Sequence, residues 1–151
     1  MKVENHLITT ALVSGVFYLA TKSWQPAIGL FIGGVLIDLD HLIEFWYDNG
    51  LSFNIPGFFA YSNKGINSRY FIFLHSYELL IVLLLFAHYS SFPWFIYGII
   101  IGMAGHIIID YVNIVKNLRY RYNSFLIFSF IFRSVFRYNR DAIDKLIRYP
   151  G

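Results

Sequence analysis

Apolar residues gather into four runs divided by short polar breaks. The runs predict membrane-spanning helices over about residues 6–22, 26–47, 70–88 and 93–115, since a span needs about 20 predominantly apolar residues. Pro26 and Pro93 open the second and fourth runs, and proline suits the first turn of a helix. Glycines punctuate the same two runs at Gly29, Gly33, Gly34, Gly98, Gly102 and Gly105, and small residues let helices approach closely in lipid. Between the second and third runs, the segment from Asp48 to Ser68 reads as a polar loop. Beyond Lys116 the chain turns rich in Arg, Tyr and Asn. The apolar core there, Asn123 to Phe132, is too short to cross a bilayer and is flanked by Arg119, Arg121, Arg133 and Arg137. It predicts an interfacial or re-entrant amphipathic helix over about 122–138. The expected fold is all-α: a polytopic membrane protein, one domain over 1–151.

Composition supports that reading. The chain is 57% hydrophobic with a mean hydropathy of +0.53, and only 14% of it is charged, against about 25% in soluble domains. No cleavage pattern follows the first run, which reads as a retained span and not a signal peptide. With four spans, eleven of the twelve Lys and Arg residues fall on the side of the two termini and the 48–69 loop, leaving Lys22 alone opposite. That asymmetry predicts cytoplasmic termini in a prokaryotic inner membrane. It also accounts for the pI near 9.1, so no nucleic-acid partner is expected.

Ionisable groups are costly in a bilayer and mark function when present. Here they form three clusters: Asp38-Leu39-Asp40-His41, His75-Ser76-Tyr77-Glu78, and His106 with Asp110, with His6 at the start of the first run. The predicted topology carries all of them to one shallow layer near the cytoplasmic face. Spacings of three and four put His75 with Glu78, Asp38 with His41, and His106 with Asp110 on shared helix faces. Asp40 points about 100° away from His41 unless the helix loosens there. Histidine with carboxylate suits zinc, manganese or iron, and the absence of cysteine removes thiolate sites. The expected ligands are His41, His75, His106 and Asp110, with His6, Asp38, Asp40 and Glu78 binding one or two ions or supporting the ligands. The plainer alternative is a set of buried hydrogen-bonded pairs that fix packing. His88 reads as an interfacial residue only.

The order of these motifs resembles a bacterial family described as membrane-bound metal-dependent hydrolases, also called LexA-binding inner-membrane proteins. The resemblance runs from an N-terminal helical His through Asp38-Leu39-Asp40-His41 and His75-Ser76 to Gly102-x-x-x-His106-x-x-x-Asp110, covering roughly residues 5 to 111. Leu74-His75-Ser76-Tyr77-Glu78 is similar to a subgroup with a His-Ser-aromatic-Glu motif. The chain departs from the family at Ser68-Arg69-Tyr70, where His-Arg-Gly is common, and it lacks a Thr-Pro after Asp110. Glu78 stands as a replacement for the lost ligand.

The resemblance implies hydrolysis of an ester or phosphoester by metal-activated water. Glu78 and Asp40 are the candidate general bases, and zinc is the first candidate metal. A site near one leaflet favours a lipid-like, amphiphilic substrate that arrives sideways. Arg119, Arg121 and Arg133 could hold its phosphate, since guanidinium matches phosphate oxygens; as cations beside a membrane they equally fit ordinary topology signals. The alternative function is a structural or partner-binding metalloprotein without turnover.

Overall fold

Glycine placement decides how the molecule is built. In the computed structural model, which describes residues 3–64, 67–117 and 122–147, two helices dominate: α2 (Trp24–Leu36) and α6 (Pro93–Asn117). They pack backbone to backbone. A Cβ added at Gly33 would lie 2.2 Å from the Ile99 carbonyl oxygen, and one at Gly102 would lie 2.2 Å from that of Leu30. Only glycine permits this approach. Around the pair, α1 (Val3–Thr21) packs on α2, and α5 (Tyr77–Tyr89) packs on α6.

After Leu36 the chain tightens into a 3₁₀ turn (Ile37–Leu39) and resumes as α3 (Asp40–Asn49). The segment expected as a polar loop contains α4 (Ile55–Lys64). Asn54 Oδ1 accepts from the Gly57 N–H at 3.0 Å, and Pro56 sits in the first turn, so this helix has an ordinary start.

Two helical stretches, Trp24–Asn49 and Pro93–Lys116, are long and apolar enough to cross a membrane. The other two apolar helices, His6–Thr21 and α5, are shorter, so among the described residues two of the four expected spans have helices of spanning length and the other two do not. Exposed apolar side chains cover α1 and α5, among them Leu12, Val16, Leu85 and Phe86. Such faces would be expensive in water, as expected of a membrane protein.

The third run departs most from expectation. Its helix begins at Tyr77, not at Tyr70, because Ser76 caps it by accepting from the Leu79 N–H at 3.4 Å. Residues 70–76 are irregular, and the chain satisfies their polar groups from elsewhere. Tyr70 N–H donates to the Tyr138 carbonyl at 2.9 Å. Asp40 Oδ2 accepts from the Leu74 and His75 N–H groups at 2.5 and 3.2 Å. The carbonyls of Ile72 and His75 accept from Arg133 at 2.7 and 3.3 Å, and that of Phe73 accepts from Ser76 Oγ at 2.9 Å. Non-helical backbone at membrane depth is tolerated only where protein supplies such partners.

The expected helix over 122–138 is broken into a 3₁₀ segment (Tyr122–Phe128) and α7 (Phe130–Val135). Arg137 and Tyr138 then take positive φ angles of 51° and 58° and reverse the chain into α8 (Arg140–Ile147). Phe128, Ile143 and Ile147 are buried in one core with Ile72 and Ile107. This segment is therefore a cap folded onto the helices.

Candidate metal centre

Four elements deliver histidines and aspartates to one point. Asp38 comes from the 3₁₀ turn, His41 from α3, His75 from the irregular segment and His106 with Asp110 from α6. The Nε2 atoms of His106, His41 and His75 lie 3.3, 3.8 and 3.9 Å from Asp38 Oδ1. Asp110 Oδ2 is 3.4 Å from His106 Nε2 and 3.7 Å from His75 Nε2. Its other oxygen is 2.9 Å from Nε2 of His6, whose ring stacks on His106 with centroids 4.0 Å apart. Two triads have ligand atoms mutually within 4.8 Å: Asp38–His75–His106 and His6–His106–Asp110. These buried groups could hold a metal ion.

The opposite nitrogen of each inner histidine is already engaged. His106 Nδ1 donates to the Gly34 carbonyl at 2.9 Å, and a carbonyl only accepts, so the proton is on Nδ1. His75 Nδ1 donates to Asp40 at 3.2 Å, and His41 Nδ1 to Glu44 at 2.9 Å. Each tether fixes the tautomer that leaves Nε2 with a lone pair, as is usual behind metal-bound imidazoles.

The fit to a cation follows from those lone pairs. His75 is 1% exposed and His106 3%, and the Nε2 atoms of both are buried without a hydrogen-bond partner among the described residues. Unprotonated, they face acceptor-only carboxylate oxygens, which is repulsive. A divalent cation among the nitrogens and carboxylates turns that repulsion into attraction, and the imidazole rings, with His75 centred 5.2 Å from His106 and 5.4 Å from His41, are close enough to share it.

Three expected roles are corrected. Glu78 is remote from the centre, because α5 starts too late for it to share a face with His75. Its carboxylate accepts from Ser129 Oγ at 2.6 Å, Phe130 N–H at 2.9 Å and Ile131 N–H at 3.2 Å. It therefore caps α7 and stands as neither ligand nor base. Asp40 is buried, with Oδ2 committed to the 74–75 backbone and His75, so it orients a ligand and is not positioned to take a substrate proton. Arg133 is fully buried and bonds the carbonyls of Ile72, His75 and Ile127, which withdraws it from any headgroup. Burial lowers its pKa to about 10, still cationic at neutral pH. Arg119 and Arg121 lie outside the described residues.

Glu44 was missed. It is buried, holds His41, and accepts from Asn67 Nδ2 at 3.2 Å. The signal was available as a spacing of three from His41. Glu44 also lines a cavity of about 130 Å³ with His41, His75, Asp110, Tyr61 and Asn67. Tyr61 donates to Asp48 at 2.5 Å; burial and that carboxylate raise its pKa, so its phenol stays protonated. No protein-family model matches the chain, and no curated protein or solved structure matches it either.

Proposed function

We propose that this chain is a membrane-embedded, metal-dependent hydrolase that cleaves an ester or phosphoester of a lipid-like substrate at the cytoplasmic leaflet. The observation that carries the reading is the pair of buried, unpartnered Nε2 atoms of His75 and His106 facing Asp38 and Asp110, beside a cavity large enough for water and a small polar group. His41, His75, His106, Asp38 and Asp110 would hold the ion, zinc first among zinc, manganese and iron. When bound, such an ion acts as a Lewis acid and lowers the pKa of water from about 15.7 towards 7.

The remaining roles belong to the chain. Glu44 takes the place of Glu78 and Asp40 as general base: unlike Asp40 it lines the cavity, and while its Oε2 holds His41, its Oε1 meets the amide of Asn67, which lines the same cavity. In the reaction, the water oxygen bonds to the acyl carbon or phosphorus while its proton passes to Glu44. The ester bond then breaks, and the leaving oxygen takes up that proton. Tyr61 and Asn67 line the same cavity and offer polar contacts to the headgroup. If all four apolar runs cross, the eleven-to-one distribution of cations supports cytoplasmic termini.

The test is Glu44→Gln, assayed for metal and for turnover of ester and phosphodiester amphiphiles. The variant loosens the His41 tether and should weaken metal affinity by about 10–100-fold; assayed at saturating metal it should still lose about 10²–10⁴-fold in rate, the usual contribution of a general base. A second reading, a structural metalloprotein, is favoured by the supply of five protein donors, enough to close an ion off from water. Absence of turnover in metal-loaded protein would select it.

A further inference from the structure

A second cavity, of about 140 Å³, lies between α1, α2 and α6 and shares no lining residue with the first. His6, Thr10, Val13, Gly105, His106 and Ile109 are among its walls.

Its shape is not a by-product of helix packing. Added Cβ atoms at Gly98 and Gly102 would collide with α2 backbone at 2.2 Å, whereas one at Gly105 would meet nothing within 4 Å. Glycine inside a helix costs roughly 0.5–1 kcal/mol relative to alanine. Close packing does not require it at 105, and its effect there is to keep the cavity open. The inner end of the cavity is polar. It is formed by the stacked rings of His6 and His106, both buried, and His106 Nε2 has no hydrogen-bond partner among the described residues.

The outer end is apolar and open. Val13 and Ile101 line it and are each 49% exposed, beside the exposed Leu12 and Ile108. Since α6 is long and apolar enough to cross a membrane, this opening faces hydrocarbon. A buried apolar cavity of about 150 Å³ accepts benzene, so this one accommodates about six carbons.

Resting on the hydrolase reading, we infer that this cavity binds the proximal part of a single acyl chain, entering from the bilayer between α1 and α6. The scissile ester of that amphiphile then lies at the His–Asp centre, with its polar head in the cavity lined by Glu44, Tyr61 and Asn67. The substrate class is an acyl ester with one chain in the site, approached through lipid.

Two variants of the full chain in phosphatidylcholine–phosphatidylglycerol nanodiscs test this. Gly105→Leu fills the cavity, and Val13→Trp blocks its mouth away from the α2–α6 interface. Each is measured for metal content, for crosslinking by a phosphatidylglycerol bearing a diazirine near the acyl carbonyl, and for hydrolysis of p-nitrophenyl acetate and dodecanoate. The native chain should crosslink preferentially within the segments 9–13 and 101–109. Both variants should keep their metal and lose that preference. Dodecanoate turnover should fall by about tenfold or more, the scale on which a hydrophobic pocket discriminates, with acetate little changed. Even crosslinking over all apolar faces, or equal loss of both esters with metal retained, would overturn the inference. If the native chain hydrolyses neither ester yet shows the crosslinking preference and loses it in both variants, the chain site stands and the hydrolase reading fails.

Discussion

His75 and His106 present the same atom to the same place by opposite means. His106 sits in the middle of a long regular helix, and its ring is aimed by the Gly34 carbonyl. That carbonyl is close because glycines draw α2 and α6 together. His75 sits on backbone that has left its helix and is gripped from both sides, by Asp40 on its N–H groups and Arg133 on its carbonyls. One histidine is held by packing, the other by charge. The packed one has no single side chain whose loss would release it, whereas the charged one depends on two buried residues far away in sequence.

Arg133 offers the largest effect. Replacing it with Met removes donors from three buried carbonyls and should destabilise the chain by about 3 kcal/mol or more, seen as a lower thermal midpoint in detergent together with loss of metal. Arg133→Lys should recover only part of this, since an ammonium cannot fork across several acceptors. Equal stability of the Met variant would show that the irregular segment holds itself.

A smaller effect is expected at Asp40. Asp40→Asn nearly preserves shape but weakens the tether on His75, and changes behind a ligand typically cost about 10–100-fold in metal affinity. Competition with a chromophoric chelator measures this. Unchanged affinity would remove Asp40 from the support of the site.

The contrast between the histidines also explains what the chain revealed in advance. His106, Asp110, Asp38 and His41 obey helical spacing, and their convergence was legible from it. His75 was found through its chemistry, but its geometry was misread. Tyr70 to Leu74 is an apolar run like any span, and nothing local announces that Asp40, 34 residues earlier, binds the Leu74 N–H. Glu78 was misplaced for the same reason, since its partners on α7 lie more than 50 residues onward. Glu44 was legible by the same three-residue spacing used for Asp38 and His41. The cap made by Phe128, Ile143 and Ile147 was hidden because short apolar segments look alike whether they meet lipid or protein.

The smallest effect belongs to Glu78. Glu78→Gln should cost about 0.5–2 kcal/mol as a weakened helix cap, visible as a modest drop in thermal midpoint, with metal content unchanged. Loss of metal in that variant would restore Glu78 to the site.

The central claim is that His75 and His106 share one cation. Elemental analysis of the purified chain beside His75→Ala and His106→Ala tests it most directly, with thermal unfolding confirming that each variant is folded. About one divalent transition-metal ion is expected per native chain, held by nitrogen and carboxylate ligands as such ions favour, and it should be lost in both folded variants alike. A native chain purified without metal that gains none on exposure to zinc, manganese or iron would contradict it, as would a folded variant that keeps its ion.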